Sequence, residues 1–152
     1  MTDNVQSIYK TAREFAGLTQ ERAATALHVS VRSLAAYESG ERIPADDVVV
    51  RMVDLYSYHQ LAVQHMRANS ELARRIIPEI KDRSLIEAAV RFSNSLRRLD
   101  KLDGAARLLE IGEDNQISAE EEGEYNEIAL ELQKLVQSAM ELMNANREEA
   151  AP

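Results

Sequence analysis

The sequence predicts an all-α protein in two parts, and three observations lead there. Apolar residues recur at helical spacing along most of the chain. Helix starts (Thr19, Ser30, Ser84, Ser118) and helix stops (Gly17, Gly40, Gly112) alternate at short intervals. Few runs show the two-residue alternation of a strand.

Five short helices are expected in residues 1–70. The first runs from about Val5 to Phe15, with Val5, Ile8, Ala12 and Phe15 on one face, and Gly17 ends it because glycine takes the left-handed C-terminal conformation without strain. Thr19 caps a second, Gln20 to about Leu27, that buries Ala23, Ala24 and Leu27. The tight turn His28-Val29-Ser30 leads into a third, Val31 to about Ser39, stopped by Gly40. Pro44 opens the fourth, with Asp46 and Asp47 in its first turn and Val48, Met52 and Leu55 inward. A fifth, around His59 to Ala68, closes the bundle.

Residues 71–83, with Pro78, read as a linker. Residues 84–146 read as an antiparallel helical hairpin for dimerisation or for a signal or partner, and residues 147–152 as a disordered tail. The capping box Ser84–Glu87 announces a long helix whose seam is Leu85, Ala89, Phe92, Leu96 and Leu99. Asp103-Gly104 introduces a kink. A second box, Ser118–Glu121, starts the return helix, with Tyr125, Ile128, Leu132, Leu135, Ala139 and Leu142 on one stripe. A lone hairpin leaves one apolar side under-covered, which points to the first domain or a second copy as its cover.

The 45% hydrophobic content suffices for a packed core, and the missing cysteine excludes disulfides and thiolate metal sites. No apolar run approaches the ~18 residues of a membrane span, and the N-terminus lacks a signal pattern, so a soluble, cytoplasmic protein is expected. The net charge of -8 is uneven: residues 1–57 carry -2, residues 58–111 carry +3 and residues 112–152 carry -9. Charges beyond about 10 Å are largely screened, so the acidic tail does not forbid an anionic ligand elsewhere.

Helix, tight turn, helix and glycine is the helix-turn-helix order, in which Leu27, Val29, Leu34 and Tyr37 bury the joint. The remaining face of the third helix is then free for a major groove about 12 Å wide. The stretch from Ala12 to Tyr56 resembles the Cro/lambda-repressor-type helix-turn-helix family, the xenobiotic-response-element regulators. The resemblance rests on R-x-x-x-G-L-T-Q (Arg13 to Gln20), the alanine pair of the second helix, Val-Ser before the third, Y-E-x-G (Tyr37 to Gly40) and Pro44, and it covers roughly residues 5–57. The C-terminal hairpin resembles tails on phage and prophage regulators of Gram-positive bacteria.

The resemblance implies a five-helix lambda-repressor-like DNA-binding domain and a transcriptional regulator, a phage or mobile-element repressor, acting on double-stranded operator DNA. It implies that Gln20 contacts phosphate and base and that Val31, Arg32, Ser33 and Ala36 face the bases. Ser30 begins the reading helix, Ser39, Gly40 and Arg42 meet the backbone, and Arg13 with Glu38 forms a structural ion pair. The residue types agree in part. Arg32 offers guanine O6 and N7 a bidentate contact, worth roughly 1–3 kcal/mol of discrimination, while Gln20, Ser39 and Arg42 suit phosphates. Two of the four reading positions are apolar, so base reading concentrates on Arg32, and a homodimer through the C-terminal helices is expected to supply further affinity.

Two other readings fit the composition. An antitoxin would use the acidic tail to mask a basic protein partner, marked by a neighbouring toxin gene or a co-purified partner. An adaptor that has lost DNA binding would fail to shift its own upstream DNA. Catalysis, cofactors and metals find no foothold. Asp46 and Asp47 point about 100° apart on a helix and serve its dipole. His28, His59 and His65 lack ligand spacing and read as turn or helix-surface residues. An EF-hand alignment of Glu110, Gly112, Asp114, Ser118 and Glu121 fails at Gly112, which has no side-chain oxygen, and at Asn115, which replaces the turn glycine.

Overall fold

The computed structural model describes residues 5–145, with side chains from Ile8 onward. Among the described residues there are nine helices and no strand. They fall into two compact units, one formed by the chain up to Glu79 and one from Ile80 on.

The first unit holds α1 (Val5–Phe15), α2 (Gln20–Leu27), α3 (Val31–Ser39), α4 (Asp46–Tyr56), α5 (Gln60–Asn69) and α6 (Glu71–Ile76). Its core joins Tyr9 and Ala12 of α1 to Ala23, Ala24 and Leu27 of α2. Leu34 and Tyr37 of α3, Val48, Val49, Met52 and Tyr56 of α4, then Tyr58 and Leu61 complete it. Gly17, at φ 66, reverses the chain after α1, and the Leu18 amide donates to the Arg13 carbonyl at 3.2 Å.

Three expectations change here. The buried stripe of α1 runs through Tyr9 and Ala12 rather than out to Phe15, which is 50% exposed and lays its ring 5.1 Å from that of Tyr58. Val5, the first residue of the expected stripe, has its side chain outside the described ones. α4 begins at Asp46, behind an extended Ala45; Pro44 is buried just ahead of the cap and steers the entry rather than forming the first turn. His65 is buried, not on the surface. It follows Leu61 by four residues on the inward face of α5. The Tyr9 hydroxyl lies 2.8 Å from its Nδ1 and Asp46 Oδ1 lies 3.2 Å from its Nε2. Asn69 Nδ2 also approaches Nδ1 at 3.2 Å, which assigns Nδ1 as acceptor and Nε2–H as donor. The histidine thus fastens α1 and the start of α4 to α5.

The expected linker 71–83 contains α6. Ser70 accepts from the Ala73 amide at its start, and Glu71 pairs with Arg74 and Arg75. Arg67 donates to the Ile77 carbonyl and Arg74 Nη1 returns a 2.7 Å bond to the Arg67 carbonyl, so the segment is strapped to α5 by its own arginines.

The second unit holds α7 (Leu85–Lys101), α8 (Gly104–Ile111) and α9 (Glu122–Met143). The Ser84–Glu87 capping box forms in full. The Ser118–Glu121 box also closes, through bonds of 2.9 and 3.3 Å, one turn ahead of α9. The expected kink is a break: Asp103 sits at φ 50, and α8 restarts at Gly104, where an added Cβ would lie 2.6 Å from Leu99 Cδ1.

The interior of the α7–α9 pair is more polar than the apolar seams predict. The buried residues are Ala88 and Ser95 on α7, with Ile128, Glu131, Ser138 and Glu141 on α9. Leu85 and Leu96 are 50% and 44% exposed, and Ala89, Phe92 and Leu99 are half-buried. Ion pairs explain the offset. From the α7 side Arg83 and Arg91 both reach Glu141 and Arg98 reaches Glu131, which draws the contact line a fraction of a turn off the leucine seam of α7, while Lys134 joins Glu131 from the same helix.

Candidate nucleic-acid interface

The joint of α2 and α3 is built by caps. The Thr19 side chain accepts from the Arg22 amide at 3.3 Å, and at the other end His28 adopts the left-handed conformation, φ 56, usually given to glycine. Its amide and that of Val29 return to Thr25 and Ala24. Ser30 then caps α3, accepting from the Ser33 amide at 3.0 Å, and Gly40 at φ 75 ends it. Leu34, Tyr37 and Glu38 turn inward.

Glu38 is the hub beneath the interface. Arg13 Nε and Nη2 donate to its two carboxylate oxygens at 2.6 and 3.0 Å, a bidentate pair with side chains 9% and 4% exposed. Arg13 Nη1 also donates to the Leu18 carbonyl at 2.6 Å. Gln20 Nε2 donates to Glu38 Oε2 at 2.8 Å. The Glu38 hydrogen bond raises the pKa of Arg13 above its ordinary value, against the opposing cost of burial. The nearby Tyr56 hydroxyl is buried with no hydrogen-bond partner among the described residues; burial first, and the Glu38 carboxylate second, push its pKa up to about 12. It therefore stays neutral and adds no charge to the anchor.

The expected contact residues divide by environment. Arg32 and Ser39 are exposed, and with Ala36 they follow one line of α3 on the side away from Leu34. Ala36 is half-buried and its carbonyl accepts from Ser39 Oγ at 3.2 Å and from the Arg42 amide at 3.1 Å. Val31, 41% exposed, lies nearer the buried edge. The Ser33 hydroxyl sits 2.8 Å from that of Ser30, so the two serines bond each other at the helix start. The Arg42 guanidinium carbon stands 5.8 Å from the Tyr37 ring centroid, which orders its charge beside the end of α3. Gln20 is half-buried and committed in part to Glu38.

Sequence reasoning passed over Arg22. It is exposed in the first turn of α2, two residues after Gln20, where a cation can meet a phosphate. Its signal was available: it is the one cation between Thr19 and Ser30. The exposed Glu21 and Glu41 adjoin Arg22 and Arg42 in the chain, so the positive charge of this face is modest.

Among the described residues no group of three or more His, Asp or Glu side chains comes together as a metal site. Among them also, no helix is long and apolar enough to cross a membrane. Residues 10–66 match the family model of a helix-turn-helix domain, which spans all of α2 to α4 and supports a DNA-binding regulator in general. No curated protein matches the chain, and no solved structure does.

Proposed function

We propose that the chain is a sequence-specific transcriptional repressor of the phage or mobile-element type, which reads operator DNA through α3 as a homodimer joined by its C-terminal helices. One observation supports it above others: Arg32, Ala36 and Ser39 form an outward strip on a helix whose opposite side is anchored by the buried Arg13–Glu38–Gln20 cluster. A rigid helix with an outward strip led by an exposed arginine is what groove reading requires. In this reading Arg32 contacts guanine with Ser33 beside it, Val31 or Ala36 meets a thymine methyl, Ser30 starts the reading helix, and Gln20, Ser39 and Arg42 set the register on phosphates.

The exposed side of the second unit supports the dimer. Leu85 and Leu96 of α7 and Val136 of α9 are each about half exposed, and a second copy would cover them. Two half-sites are then read about 34 Å apart or at a multiple of that spacing. The test is selection of bound sequences from a random duplex library, run beside a measurement of mass in solution. A palindromic consensus together with a dimeric mass is expected. Retention of DNA with no enriched sequence would overturn the reading.

A further inference from the structure

On one side of the α7–α9 pair lies a groove of about 310 Å³, lined by Arg91, Asn94, Ser95 and Arg98 of α7 and by Lys134 and Gln137 of α9. Three of these side chains are cations, three are neutral hydrogen-bonding groups, and none is a carboxylate. We propose that this groove binds a small phosphate-bearing molecule.

The charge count carries the argument. Each of the two buried carboxylates below the groove has two cations where one would balance it. Glu141, with a fully buried side chain, accepts from Arg83 Nε at 2.9 Å and from Arg91 Nε at 3.0 Å. Glu131, 12% exposed, accepts from Arg98 Nε at 3.0 Å and pairs with Lys134. The Glu131 carboxyl is accordingly held below its usual range, by Lys134 first and by Arg98 against the cost of burial. Arg83 does not line the groove, so the three groove cations exceed the two carboxylates by one positive charge, in a unit whose last helix and tail are strongly acidic. A phosphate monoester carries about -1.5 to -2 near neutral pH and presents several acceptor oxygens, which suits a net-positive groove whose three cations keep solvent-facing donors.

Geometry agrees with the charge. Arg91, Arg98 and Lys134 are 47%, 49% and 45% exposed, so their remaining donors face solvent while their bonds to the carboxylates hold them in place. Arg98 Nη2 is further fixed by Ser95 Oγ at 3.0 Å, on a serine only 2% exposed. Preordered guanidinium forks suit phosphoryl oxygens, and Asn94 adds an amide at the rim. The volume lies at the lower end of the ~300–1,000 Å³ of small-molecule sites, and a cleft between two helices packed about 8–10 Å apart does not admit a duplex.

The groove is independent of the α3 reading, and its binding is measured first in the absence of DNA. The full chain is titrated calorimetrically with inorganic phosphate and with a sugar monophosphate, against chloride at matched ionic strength. Saturable one-to-one binding is expected, weakened about tenfold or more by Lys134→Gln, with helicity retained. Asn94→Leu, which touches no ion pair, should weaken it too, whereas Lys10→Gln in the first unit should leave it unchanged. Heats that track ionic strength alone overturn the proposal, as does binding indifferent to both groove substitutions. If neither probe binds and Lys134→Gln instead lowers affinity for duplex DNA, the groove is a DNA-phosphate contact and the proposal falls.

Discussion

Gln20 donates its side-chain amide to Glu38 at 2.8 Å, onto the same carboxylate that Arg13 grips with two nitrogens. The residue at the start of α2 is therefore positioned by a buried charge at the end of α3. A side chain expected to face DNA and an ion pair expected to be architecture turn out to be one assembly. The pair does more than tie α1 to α3, because it also sets the direction of a proposed contact residue.

Glu38→Ala should destabilise the first unit by about 3–5 kcal/mol, since it leaves Arg13 buried without its partner. Urea denaturation followed by circular dichroism reads the loss. The double variant Arg13→Met with Glu38→Leu should recover much of it, because the unpaired charge is gone. A single substitution costing well under 1 kcal/mol would contradict the buried pair.

Arg32→Ala should leave the melting curve in place, because the side chain is exposed. It should lower the preference for the selected sequence over random duplex by roughly 1–3 kcal/mol. Arg42→Ala, a proposed phosphate contact, should weaken both kinds of DNA alike and flatten the salt dependence. Equal losses on specific and random DNA for Arg32→Ala would remove it from the bases.

Leu96→Lys places a charge on the exposed side of α7 without entering the interior, where Ser95 is the buried neighbour. A shift from dimer to monomer in sedimentation is expected, together with about 10²-fold weaker operator binding as the linked second half-site is lost. An unchanged mass would place the dimer contact elsewhere or abolish it.

Acid should loosen the second unit through its helix starts. The Glu87 carboxyl is held below its ordinary value of 4.5 by the Ser84 amide first, and that of Glu121 by the Ser118 side chain first. Both folded values are depressed, so their contribution is complete above the unfolded value of about 4.5 and is lost as pH falls through the folded one. The exchange protection factor of the Ser84 amide, which donates to the Glu87 carboxylate at 3.2 Å, should fall below that pH. In Glu87→Gln the protection should already be low near neutrality and change little with acid.

Local signals made the first unit legible. Thr19, Ser30, Gly17 and Gly40 each act within a few residues, so the helix-turn-helix and its caps followed from sequence. The outward line of α3 is equally local, because it follows from helical spacing once Leu34 and Tyr37 are inside. What spacing missed was long-range. The partners of His65 lie on α1 and α4, 56 and 19 residues away, and no window along the chain contains them. Gln20 and Glu38 are 18 residues apart, and a resemblance that named both did not join them.

The sequence by itself determined that this chain is helical, where most helices begin and end, and which strip of α3 faces outward. Those are set by backbone capping and by a 3.6-residue period, which need only neighbouring residues. Tertiary structure alone decided that the contact between α7 and α9 takes in buried Ser95, Glu131, Ser138 and Glu141 and leaves Leu85 and Leu96 of the α7 seam exposed. Arg83 and Arg91 find Glu141, and Arg98 finds Glu131, only once the helices lie antiparallel. A carboxylate enters an interior when cations accompany it, and those cations come from chain positions up to 58 residues away.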